Sequence, residues 1–81
     1  MNAFELTRAR FVKYLDDNGL QSNILTQEKT KGPGGFELEL VSWAGSVQVG
    51  ICKARFITCN GTPVLTDLEV NQGIGRMVSL I

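Results

Sequence analysis

Residues 36–70, FELELVSWAGSVQVGICKARFITCNGTPVLTDLEV, decide the fold. Two short turn signals, Ala44-Gly45 and Asn60-Gly61, divide this stretch into three apolar-rich strands at 36–43, 46–58 and 63–70. Tight two-residue turns set the pairing register, and register decides which side chains share a face. With both turns read as two-residue loops, Trp43 opposes Ser46 and Leu38 opposes Ile51, while Cys59 opposes Thr62 and Ile51 opposes Val70. One sheet face then gathers Phe36, Leu38, Leu40, Val47, Val49, Ile51, Ile57, Val64, Leu68 and Val70 as the core face. Lys53 and Arg55 fall on it as well, and either lie near its margin and snorkel to water or mark this register as wrong.

The opposite face gathers Glu37, Glu39, Val41, Trp43, Gln48, Gly50, Cys52, Ala54, Phe56, Leu65, Asp67 and Glu69. It carries four carboxylates with no base among them, and Glu37 and Glu69 flank Cys52. Gly50, Cys52 and Ala54 are small, so this face is shallow along its middle. Carboxylates around an apolar centre suit electrostatic steering with an aromatic anchor. The candidate partner-binding residues are therefore Glu37, Glu39, Asp67 and Glu69 for steering, with Trp43 and Phe56 as anchors.

Before this stretch, residues 2–18 predict an amphipathic helix. Asn2 caps it, Glu5 takes the acid position of a capping box, and Phe4, Phe11, Val12 and Leu15 recur at helical spacing. Gly19 suits a left-handed stop, with Leu20 folding back on Leu15. Residues 21–27 read as a short edge strand or an extended connection, and residues 28–35 (EKTKGPGG) as a charged Pro/Gly loop. After the three strands, residues 71–75 (NQGIG) are a glycine loop, and residues 76–81 leave strand and helix both open. The expected architecture is α+β, one domain over 1–81, with an N-terminal helix packed on an antiparallel meander of three to five strands.

Composition bounds the function. The chain has 81 residues, with eight acidic and eight basic side chains and no histidine. Zero net charge argues against a general nucleic-acid binder, which needs a basic excess to release counterions. Arg8, Arg10 and Lys13 still give the helix a basic outer side, the one place for nucleic-acid contact. That basic side also complements the acidic sheet face, which makes a homo-oligomer a second expectation. Without histidine there is no imidazole acid/base catalysis or imidazole metal ligation. Cys52 and Cys59 cannot complete a zinc site, so no metal is expected. Seven residues apart on one strand, they point to opposite faces, so they read as reduced thiols in a cytoplasmic chain. No stretch is long enough to span a bilayer as a helix, and the N-terminus lacks a secretory apolar region.

Residues 64–77 (VLTDLEVNQGIGRM) resemble the segment of GNAT-type N-acetyltransferases in which a strand runs into the acetyl-CoA pyrophosphate loop. Gln72, Gly73, Ile74, Gly75 and Arg76 follow the family's glycine pattern, with Met77 at its last position. The resemblance implies acetyl-CoA as cofactor, bound at Gln72, Gly73 and Gly75, with Glu69 a candidate base. Glycines let backbone N–H groups approach phosphates, and a following helix N-terminus adds a favourable dipole. Beside this stands the non-enzymatic expectation: a small cytoplasmic protein that binds a protein partner, in the manner of accessory and inhibitor proteins of phages and mobile elements.

Overall fold

A computed structural model describes residues 2–20, 24–72 and 75–81. Helix α1 (Ala3–Asp17) is followed by five strands: β1 (Ile24–Gly32), β2 (Gly35–Ala44), β3 (Val47–Cys59), β4 (Thr62–Asn71) and β5 (Val78–Ser79). The strands form one sheet in the order β1-β2-β3-β4-β5, every neighbour antiparallel. This is the expected α+β arrangement, with the helix packed on one face of the meander.

The helix forms where its local signals place it. The Asn2 side chain accepts a hydrogen bond from the Glu5 backbone N–H at 2.8 Å, satisfying an otherwise orphaned donor. At the other end Gly19 has φ +68°, Leu20 N–H reaches the Leu15 carbonyl at 2.8 Å and Gly19 N–H reaches Asp16 at 3.1 Å. That pair of bonds is a Schellman ending. The buried face is Thr7, Phe11 and Leu15. Thr7, polar and absent from the expected apolar stripe, is buried because its hydroxyl donates to the Ala3 carbonyl at 2.9 Å.

The three hairpins differ in how closely they follow expectation. Asn60 (φ 51°) and Gly61 (φ 81°) make the β3–β4 turn as expected, both in the left-handed region, the requirement of a type I′ turn. The β2–β3 loop is Gly45-Ser46 rather than Ala44-Gly45, since Ala44 pairs with Val47. Gly45 takes positive φ (64°) at the first central position, the type II′ pattern, whereas an Ala44-Gly45 loop would have forced positive φ on alanine. The third hairpin corrects a larger expectation. Residues 28–32 are strand, not loop, and β1 pairs along its length from Ile24↔Trp43 to Gly32↔Gly35. Only Pro33 and Gly34 turn, with Gly34 at φ +74°.

The displaced turn and a first β-bulge settle which way β3 faces, and a second bulge sets β4 against it. Pairing shifts between Ser42 and Trp43 against β3, and between Arg55 and Phe56 against β4. The displaced β2–β3 turn contributes two residues and the first bulge one, so Leu38 opposes Ala54, not Ile51, a slip of three residues. An odd slip turns a strand over. Gly50, Cys52, Ala54 and Phe56 therefore face the helix, while Ile51, Lys53, Arg55 and Ile57 face away. The buried core is Phe11, Leu15, Leu38, Leu40, Cys52, Ala54, Phe56, Leu68 and Val70. The small side chains of β3 form a trough that seats the helix between leucines of β2 and β4. At Gly50 the approach is close enough that a Cβ would lie 3.0 Å from a Leu15 methyl and 3.3 Å from the Phe11 ring.

Candidate functional site

With the helix on one side, the other side of the sheet is left uncovered by the described chain, and its pattern follows from the turned β3. Two rows of charge cross it. In the first, Glu37 on β2 and Asp67 on β4 flank Arg55 on β3; in the second, Glu39 and Glu69 flank Lys53. Glu28 on β1, opposite Glu39, extends the second row. The face thus holds five carboxylates, Glu28, Glu37, Glu39, Asp67 and Glu69, against two bases, a net of minus three.

Arg55 donates from Nε (3.1 Å) and Nη2 (2.9 Å) to the same Glu37 oxygen. That bond, the Glu37 charge and the charge of Asp67 raise the Arg55 pKa further above its ordinary value. Lys53 Nζ stands 4.0 Å from Glu39. All four side chains are solvent-exposed, so each pair contributes little to stability. Their effect is on surface pattern: a central column of positive charge bordered by negative columns, lining a shallow open depression of about 450 Å³.

Apolar side chains close the charged band at both ends. Val41, Trp43 and Ile51 are half-buried at one end, and the Trp43 indole N–H approaches the Thr26 hydroxyl at 3.5 Å. At the other end Ile57 and Val64, paired across β3 and β4, are 42% and 43% exposed.

Of the expected partner-binding residues, the structure brings Glu37, Glu39, Trp43, Asp67 and Glu69 onto this one face. Phe56 is corrected. It is 2% exposed, lies on the helix side and stacks on Phe36 with ring centroids 5.0 Å apart, so it cannot anchor a partner on the outer face. Cys52, Gly50, Ala54 and Leu65 leave the outer face with it. Glu37 and Glu69 flank no cysteine, and the face is not free of bases. Lys53 and Arg55, expected to snorkel from a core margin, are its central column. The signal that locates them was in the sequence: two bases at an i, i+2 spacing on an otherwise apolar face are costly to bury and favour the opposite register. Burial pushes the Cys52 thiol up to about 12, whereas Cys59 is exposed. Among the described residues no three carboxylates or thiols converge as a metal ion requires.

The glycine loop leads into a strand. Gln72 donates to the Asn18 side chain at 3.0 Å, tying the loop to the helix C-terminus, and Gly75 has φ +96°. Gly73 and Ile74 lie outside the described residues. Val78 and Ser79 pair with Val70 and Glu69 as β5, so no helix N-terminus follows within the described residues. On the helix, Arg8, Arg10 and Lys13 are exposed, and Lys13 pairs with Asp17 at 2.8 Å. No described helix is long and apolar enough to cross a membrane. Compared with protein-family models, curated proteins and solved structures, the chain matches none.

Proposed function

We propose that this chain is a small non-enzymatic binding protein, of accessory or inhibitor type, that engages a cation-bearing protein partner through the outer face of its sheet. The observation that supports this reading is the one-sided cover of the sheet. The helix occupies one face, and the other presents a net negative charge band ending in Trp43. Such a band steers a basic partner over a distance set by the Debye length, about 8 Å at physiological salt. Val41, Trp43 and Ile51 supply the apolar contact that steering alone lacks. Free thiols at Cys52 and Cys59 suit a reducing compartment, and we place its action in the cytoplasm.

The test is a titration of isotopically labelled protein with a lysine- and arginine-rich helical peptide, followed by amide and indole NMR shifts. An acidic peptide of equal length is the control. The basic peptide should shift outer-facing residues of β2, β3 and β4 and the Trp43 indole, with affinity falling as salt rises. Glu39→Lys with Glu69→Lys should abolish the shifts while the spectrum stays folded. Shifts confined to α1, or none with either peptide, overturn the reading. Acetyl-CoA added to the same sample reports separately on Gln72 and Gly75.

A further inference from the structure

The two edges of the sheet are unequally defended. On one side, β4 has Pro63, which offers no backbone donor, a bulge at Thr66 and a partial cover from the two-residue β5. Short cover, proline and bulges are the means by which proteins blunt a sheet edge. On the other side, β1 has none of these. It is nine residues long, contains no proline, and pairs with β2 from Ile24 to Gly32 without a register shift. Its outer row of alternate N–H and C=O groups, spanning about 30 Å, has no partner strand among the described residues. Charge is its remaining guard, and charge guards only against strands that oppose like with like.

We infer that two copies of this chain pair through β1, antiparallel, about a two-fold axis at Gln27, into one continuous ten-stranded sheet. The register comes from the charges. A two-fold axis normal to the sheet keeps each face on its own side, so the two residue numbers of every opposed pair add to an even total. An axis at Glu28 sets Glu28 against Glu28, one at Lys29 sets Lys29 against Lys29, and one at Thr30 sets Lys29 against Lys31. Like charges directly opposite are destabilising. An axis at Gln27 opposes Thr26 with Glu28 and position 25 with Lys29, running from 24 to 30 with no like pair. Moving the axis to Thr26 also avoids like pairs but shortens the ladder to 24–28.

Pairing of this kind puts both helices on one side and both charge bands on the other, so the outer face of the pair is twice the single face. The inference rests on the edge and not on what that face binds.

The experiment is cross-linking in solution, with sedimentation velocity on the unmodified chain. In a Cys59→Ser background, Gln27→Cys should form a disulfide-linked dimer under mild oxidation, because its counterpart lies directly across the axis at about 5 Å between Cα atoms. Lys31→Cys, on the same exposed strand, stands about 27 Å from its counterpart and should not. The unmodified chain should sediment as a dimer, and hydrogen exchange should slow at successive β1 amides instead of alternate ones. A monomer at all concentrations overturns the inference while leaving the peptide titration above to stand or fall by itself. A dimer whose Gln27→Cys cross-links no faster than Lys31→Cys overturns it equally.

Discussion

Cys52 and Lys53 are chain neighbours with opposite fates, one buried against the helix and the other exposed on the outer face. Cys52 is fully buried against the helix, and its thiol is held neutral by burial. A buried acid whose pKa rises from the ordinary 9.0 to about 12 loses relative stability as pH climbs. Between those values the unfolded chain has released a proton that the folded chain keeps, so the unfolded state is favoured increasingly. Below pH 9 the effect vanishes. The stability advantage of the native chain over Cys52→Ala should therefore shrink by roughly 1 kcal/mol between pH 8 and pH 10, read from urea midpoints. A constant difference would show that the thiol ionises freely in the folded state. Arg55, one strand position beyond Ala54, shows the opposite environment: exposed, bonded to Glu37 and held charged.

Among the elements, legibility tracked how local the determining signal was. The helix was readable because Asn2, Gly19 and Leu20 specify its ends within a few residues. The Asn60-Gly61 turn was readable because positive φ at two adjacent positions demands those residue types. β1 was not, because its sequence TQEKTK has no apolar alternation. Gln27, Lys29 and Lys31 share the helix side, where Lys29 lies 4.5 Å over the Phe36 ring and covers apolar surface with its stem. The bulges at Val49 and Thr66 carry no residue signature, yet each moves every later side chain of its strand to the other face. All five retained site residues lie on β2 and β4: β2 keeps its alternation, and on β4 the bulge at Thr66 compensates the turning of β3. The residues of β3 exchanged faces. Thr66 offers the direct test. Its hydroxyl donates to the Arg55 carbonyl at 3.1 Å, so Thr66→Ala should cost about 1 kcal/mol. Deleting Thr66 removes the bulge but leaves Asp67 opposite Arg55, Leu68 opposite Ala54 and Val70 opposite Cys52, so the core pairing survives and the urea transition should stay cooperative, at a cost of about 1–2 kcal/mol. Loss of the cooperative transition on deletion would contradict the assignment of Thr66 as the extra residue of the bulge.

For the whole molecule, a formal charge of zero conceals a division. The outer face holds five of the eight acids and two of the eight bases, leaving three acids and six bases for the helix, the helix side of β1 and the turn segments. Composition alone reported neutrality, and the division became visible only when register assigned Lys53 and Arg55 a side. The thin core of an 81-residue chain is filled by one helix seated over the small residues of β3, and among the described residues nothing covers the second face. That face exists in this form only because β3 presents its bases outward and its cysteine inward. Thiol reactivity of Cys52 tests this most directly. In the Cys59→Ser variant under native conditions, a chromogenic disulfide reagent should react with Cys52 only as fast as the protein unfolds, and completely in denaturant. Prompt reaction in the native state, at the rate Cys59 shows in the unmodified chain, would place Cys52 on the open face and contradict the register on which the binding surface rests.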